Sequence, residues 1–461
     1  MAKKSAVLTI SIWDNHVRLS LISKSMTTLS TQSFELAVES DELGLRHVDP
    51  FELIYFIRTG IQQCLTVVDV TITNIGVSAM PGYAMVWDIR RCKPVTRLYL
   101  PNNDLKDLTY QEFKFSEFYQ MLLGGQSNTS LFSPNLALNI WAICKQGGGA
   151  FSEGRILSSV DTWVSFILSG YNDQALVTNA GMMGELIGPG GDWDAALLKC
   201  IGILPDFLPS LAPLSDAKSL RFSPLPDDIP INYSTSTNDL LFGMMDAFGT
   251  DPMACVHLSG INHLYLNRLI RLGDASDVWI RFAGLQSLQK AFCFSDQHQP
   301  PPIHISDVQK EQLIPIDPFR SFYSQTYHLM NMNTFSTESI LKLGVILHLF
   351  LIKYVIAKYE PLTANGHIKT LIFSSSEWES NTLQTCIDLC QLNGVEFKIP
   401  HWLDMVHIHA LSHLGEFFSL SEQQKLFKVQ QRLIPSLDPL SCYSLYQPWE
   451  DWFNKLYDSR A

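Results

Sequence analysis

The chain has 461 residues, of which 46% are hydrophobic, 11% aromatic and 17% charged. That length suits two large lobes or about three units of roughly 150 residues and excludes a single small scaffold, while the aromatic content excludes a disordered chain. Lys and Arg number 33 against 45 Asp and Glu, a formal net charge of -12, so no nucleic acid or anionic membrane partner is expected, since both are gripped through basic patches.

In chain order, residues 5–12 and 17–23 read as two strands joined by the polar turn Trp13-Asp14-Asn15-His16. An opening β-hairpin is predicted. Residues 51–64 carry apolar side chains at helical spacing, and the β-branched run 67–78 reads as a strand ending near Met80-Pro81-Gly82. Short strands are expected over 84–87 and 96–100, and helices over 113–123 and 135–145. The proline-rich segment 221–231 has no periodicity and is expected to be a connection. A lobe boundary is placed near residue 240, giving lobes 1–240 and 241–461. The second lobe is predicted to hold strands at 254–257, 368–373 and 395–399, a long helix over 339–359, a helix over 381–392 and another through Leu411. The stretch 297–302, with three prolines, reads as a loop. Two α/β lobes with a cleft between them is the expected architecture.

The nine cysteines are scattered and form no C-x-x-C pair, so buried free thiols in a reducing compartment are expected. The apolar stretch after Lys3 and Lys4 breaks at Ser11, too early for a signal-peptide core. Residues 341–359 are cut by Lys342, His348, Lys353 and Lys358, leaving apolar runs too short for a bilayer span. A cytoplasmic protein is expected.

Three blocks carry a family resemblance. Ser159-Val160-Asp161-Thr162-Trp163, running to Gly170, resembles the V-D-x-W helix of the FGGY carbohydrate kinases; Thr178-Asn179-Ala180 resembles their T-N-A-S element. Asp192-Trp193-Asp194 with Leu197, Leu198, Gly202 and Leu208-Pro209 resembles their D-W-D-x-x-L-L and L-P pattern. The resemblance implies two RNase H-like (actin-like ATPase) lobes, with sugar or polyol in the cleft and ATP mainly on the second lobe.

The same alignment sets the expected site. The family's D-x-G-T-T-S-x-R phosphate hairpin maps to residues 11–18. Ser11 takes the place of the magnesium-holding aspartate and Trp13 that of a glycine, where an indole crowds backbone that must approach phosphate. Arg18 keeps its place, and Asp14 is the nearest carboxylate. The substrate elements map to Met80-Pro81-Gly82 and to Pro101-Asn102-Asn103-Asp104. Ser236 falls at the position of the catalytic base, with Asp239 three residues on as a substitute; a serine hydroxyl is no base near neutral pH. Ser259-Gly260 maps to the second phosphate turn, and Ser375-Ser376 with Asn381 to the adenosine element.

The expectation is a pseudokinase that keeps the fold and binds or regulates, with no cofactor assigned. The alternative is an active sugar or polyol kinase using Mg-ATP, in which Asp14, Arg18, Asp239 and the Ser259-Gly260 turn carry the chemistry. A small molecule, a protein or a second copy of the chain are the partner classes left open. His401, His407, His409 and His413 cluster in sequence, and partly exposed or core histidines are expected there in preference to a metal site. Asp227-Asp228 reads as solvated acid, Gly147-Gly148-Gly149 as a turn without the features of a phosphate loop, and no nucleophile elbow is present. The aromatic C-terminus, with Trp449 and Trp452, is expected to pack on a lobe.

Overall fold

The computed structural model describes residues 4–25, 27–101, 107–125, 135–146, 150–178, 182–188, 192–211, 218–221, 224–225, 228–236, 253–257, 262–271, 274–282, 304–310, ten positions between 342 and 357, 368–375, 380–398 and 428–458. The chain divides into two compact units, Met1–Met244 with Leu403–Gln423, and Met245–Trp402 with Gln424–Ala461.

In the first unit, β1 (Lys4–Trp13), β2 (His16–Ser23) and β3 (Thr28–Glu35) form an antiparallel meander. Helix α1 (Pro50–Val67) follows, started by the Asp49 carboxylate, which accepts the Phe51 amide at 2.9 Å, and by Pro50 in the first turn. The next strand, β4 (Val70–Ala79), runs parallel to β1. Helices α2 (Asn135–Gln146) and α3 (Val160–Leu168) precede β5 (Lys218–Arg221) and β6 (Asp228–Ser236), giving the order β5-β6-β4-β1-β2-β3. Alternation along β1 and β2 puts Leu8, Ile10 and Ile12 on the face of Val17, Leu19 and Leu21. Helix α1 lies against this face through Gly60, where a Cβ would stand 2.6 Å from Leu19 Cδ1. The opposite face is polar yet buried: Thr9, Ser20 and Ser78 are 0% exposed and Ser11 1%. Thr9 Oγ1 donates to the Ser20 carbonyl at 3.3 Å, and the Ser20 and Thr31 hydroxyls bond at 3.1 Å, so this layer is partly satisfied within the sheet.

The second unit repeats the plan. Strands β7 (Met253–His257), β8 (Asn262–Arg271) and β9 (Asp274–Phe282) form a meander, and β10 (Thr370–Ser375) runs parallel to β7. Helix α4 (Ser380–Cys390) leads to β11 (Asn393–Lys398), parallel to β10, and β12 (Lys428–Leu433) closes the edge in the order β9-β8-β7-β10-β11-β12. Helix α5 (Pro439–Asp458) buries Cys442, Tyr446, Trp449 and Phe453 at helical spacing, with Trp449 5.6 Å from Phe350 and Phe453 4.8 Å from Tyr354 between ring centroids. The aromatic C-terminus is thus core of its own unit. Two sheets, each a three-strand meander continued by parallel strands on the far side of its first strand, make this an α/β protein with two RNase H-like, actin-like ATPase lobes.

Several predicted elements are corrected. The segment 221–231, expected as a connection, supplies the end of β5 and the start of β6 in the central sheet. Its prolines hid the strand: Pro230 pairs with Ser219 of β5, while pairing of β6 to the inner strand β4 begins at Ile231, so the missing N–H interrupts no inner ladder. The helix expected over 113–123 is two helices, Asp107–Lys114 and Glu117–Gly125. Strands β3, β8, β9 and β12 are not among those predicted. The opening hairpin turns on Asp14 and Asn15 alone, with Trp13 and His16 paired as strand residues. The helix expected through Leu411, the loop 297–302 and the four histidines 401–413 lie outside the described residues. Cys64, Cys92, Cys144, Cys200, Cys386, Cys390 and Cys442 are free thiols, and no helix among the described residues is long and apolar enough to cross a membrane.

Candidate functional site

The hairpin tip between β1 and β2 is the best-defined of the expected site elements. Asp14 adopts φ 46°, a left-handed conformation that aspartate tolerates. Its carboxylate is held by both guanidinium nitrogens of Arg46, Nη1 to Oδ1 at 2.9 Å and Nη2 to Oδ2 at 3.0 Å, with the two side chains 17% and 19% exposed. The Asp14 carbonyl accepts the Tyr83 hydroxyl. Asn15 donates to Glu35 Oε1 at 3.1 Å and to the Leu36 carbonyl at 3.0 Å. Trp13 stacks on His16 with centroids 5.5 Å apart and planes 13° from parallel. Ser11 and Arg18 face each other across the hairpin on the side that bears Trp13 and His16, and Ser11 pairs with Ser78 on β4 while Arg18 pairs with Ser33 on β3.

Met80 and Gly82 stand beside this tip. The Met80 amide donates to the Ile12 carbonyl at 3.0 Å, and Met80 is 6% exposed. Gly82 takes φ 107°, which only glycine adopts readily, and its carbonyl accepts Asn139 Nδ2 at 2.8 Å. The same Nδ2 donates to the Leu100 carbonyl at 2.9 Å, and the Leu100 amide donates to the Arg46 carbonyl at 3.0 Å. The structure therefore gathers Asp14, Met80 and Gly82 in one place. Arg46, Tyr83 and Asn139, which do the gathering, escaped the sequence reading. Asn139 left a signal: it is a polar residue among the buried apolar side chains Leu136, Ala137, Ile140 and Ile143 of one helix.

Next to Arg46, a second polar group surrounds Tyr99. Its hydroxyl donates to Gln146 Oε1 at 3.0 Å, and Gln146 Nε2 reaches Asp41 Oδ2 at 2.7 Å. Burial, aided by the Asp41 carboxylate, pushes the Tyr99 phenol up to about 12. His47 meets the Tyr99 ring edge-on at 6.0 Å, and burial, with Arg97 adding to it, holds its imidazolium form below the ordinary value.

The remaining expected site residues are placed as follows. Ser236 is the last residue of β6 and pairs with Ala79 at the end of β4. Ser375 ends β10 opposite His257. Asn381 is exposed in the first turn of α4, its carbonyl accepting Thr385 Oγ1 at 3.0 Å. Asn103, Asp104, Asp239, Ser259, Gly260 and Ser376 lie outside the described residues. Among the described residues, no group of three or more His, Cys, Asp or Glu could hold a metal ion.

The blocks that carry the family resemblance prove to be scaffold. Asp161, 0% exposed, accepts Thr178 Oγ1 at 3.1 Å, joining the first block to the second. Trp163 Nε1 donates to the Pro50 carbonyl at 3.2 Å, tying α3 to the start of α1. Asp194 caps the short helix Ala195–Cys200 by accepting the Ala196 and Leu197 amides, both at 3.0 Å.

The two lobes and their strand order define the class: the fold is that of the FGGY carbohydrate kinases. In particular, the chain is similar to glycerol kinase from Plasmodium falciparum, solved with ADP, at a TM-score of 0.73 and 13% identity, with 100% of this chain and 99% of that one covered. It is similar also to ligand-bound xylulose kinase from Lactobacillus acidophilus, with a TM-score of 0.74, 12% identity and coverage of 99% and 98%. Gluconate kinase from Lactobacillus acidophilus gives a TM-score of 0.74 at 11% identity with the same coverage. No family model matches the sequence, and no curated protein matches it. At these identities the likeness establishes the fold alone.

Proposed function

We propose that the protein is a pseudokinase: a sugar-kinase fold that binds a small molecule or a protein and does not transfer phosphate. The observation that carries this reading is the hairpin tip. Phosphate and magnesium need an available carboxylate and backbone that can approach the ligand closely. Here Ser11 is buried at the carboxylate position, Trp13 sits stacked on His16 at the glycine position, and the nearby Asp14 carboxylate is engaged on both oxygens by Arg46. These residues do not fit a magnesium-bound triphosphate. Ser236, at the base position, adds support, because an ordinary hydroxyl cannot take a proton near neutral pH. Residues 1–240 are read as the lobe on the sugar side and 241–461 as the lobe on the nucleotide side, in a cytoplasmic protein.

Calorimetric titration with ATP and ADP, with and without magnesium, tests this. No heat up to low-millimolar nucleotide is expected from folded protein. Magnesium-dependent binding with Kd at or below about 1 mM, roughly 4 kcal/mol, followed by phosphoryl transfer to any polyol or sugar, would replace the reading with an active kinase working through Asp14, Arg18 and Asp239.

A further inference from the structure

Six residues of the first unit close a ring of contacts. Asp14 is paired with Arg46; the Arg46 carbonyl takes the Leu100 amide; Asn139 bridges the Leu100 and Gly82 carbonyls; and Tyr83, next to Gly82, returns to the Asp14 carbonyl. The links come from the β1–β2 turn, the short strands Arg46–Val48 and Leu98–Tyr99 with its exit, α2, and the turn after β4. Their exposures differ. Tyr83, Leu100 and Asn139 are 0% exposed, whereas the Arg46 and Asp14 side chains keep 19% and 17%. A buried link cannot part without leaving an N–H or O–H unpaired, but an ion pair that water reaches can exchange its partner for hydration. The ring therefore opens at the ion pair.

We propose that Asp14–Arg46 is a lock: its parting frees the hairpin tip, the 80–84 turn and the 98–101 strand exit as one unit. By the resemblance, the hairpin maps to the phosphate element of the sugar kinases, and residues 80–82 and Pro101 to their substrate elements, so the biological use of the lock rests on the proposed function. The lock itself is a property of the first unit alone. A ligand that competes for the guanidinium or the carboxylate would open it, and so would salt, because part of the pair is screened.

Amide hydrogen exchange on the full chain, wild type against Arg46→Gln, tests the coupling. The reporting amides are Leu36, bonded to the Asn15 carbonyl, Met80 to Ile12, Ala84 to Tyr99, and Leu100 to Arg46. All four are expected to exchange faster in the variant by one common factor, about tenfold, while Ile10 and Val77 in the middle of β1 and β4 keep their rates. In wild type, 1 M salt is expected to accelerate the same four amides together, and to do nothing further in the variant. Acceleration at Leu100 alone, unrelated factors at the four sites, or a wild-type protein indifferent to salt would each overturn the lock. If Arg46→Gln does not fold, the wild-type salt series decides. Phosphoryl transfer by wild type would remove the proposed function and leave the exchange pattern standing; uncoupled exchange would remove the lock and leave that function standing.

Discussion

Two stretches of the first unit are held together in different ways. Between Ser159 and Leu208 the side chains shared with the sugar kinases are those that hold elements together: Asp161 to Thr178, Trp163 to Pro50, Asp194 on its helix cap. Between Ser11 and Arg18 the tip is held by contacts of its own, Asp14 to Arg46 and Trp13 on His16, and under the proposed function only the arginine keeps a family role. Loss of the first set costs stability whatever the protein does. Under the proposed function the second set bears on chemistry, and the sheet does not depend on it, because a two-residue turn closes β1 on β2.

Trp163 is 0% exposed and packs edge-on against Trp87, with centroids 5.3 Å apart, besides its bond to Pro50. Trp163→Ala is expected to lower unfolding free energy by about 3–5 kcal/mol. Trp13→Ala removes a half-buried stacked pair and is expected to lower it by about 1 kcal/mol or less. Urea denaturation of both variants measures the gap, and equal losses would mean that the tip is as much scaffold as the helix. A smaller effect sharpens the point: Asp194→Ala is expected to cost about 1 kcal/mol through the lost cap alone, with β1 and β2 unchanged by amide exchange.

Much of the first sheet was legible from alternation and β-branching in residues 5–23 and 67–78, because its strands carry uninterrupted apolar runs on one face. Strand β6 was not, since Pro224, Pro226 and Pro230 give the signature of a linker, and only the pairing of Pro230 with an edge strand shows why a sheet accepts it. The hairpin was singled out as a candidate site by resemblance alone. Its present contacts were not, because Arg46, Tyr83 and Asn139 approach Asp14 from distances of 32, 69 and 125 positions along the chain, the last through Gly82 and Tyr83. Sequence spacing carries no information about such convergence; tertiary packing alone creates it.

The smallest expected effect tests whether the surroundings of the lock respond to pH. His47 follows Arg46 directly, is 7% exposed, and is held below the ordinary imidazole value first by burial and then by Arg97, with Asp41 and Glu39 opposing. A lowered value in the folded state means that the unfolded chain binds the proton first as pH falls, so stability must drop on acidification. The drop is expected to begin as pH passes below about 7, to be steepest between the ordinary value near 6.5 and the lowered one, and to level off below it, with a slope no steeper than about 1.4 kcal/mol per pH unit for one proton. The chain has 13 histidines, so the informative quantity is the difference between wild type and His47→Gln. That difference should shrink as pH falls from 7.5 to 5.5, because the variant has no buried imidazole to charge. A difference that stays flat, or grows on acidification, would mean that His47 is as readily protonated in the folded protein as in the unfolded chain.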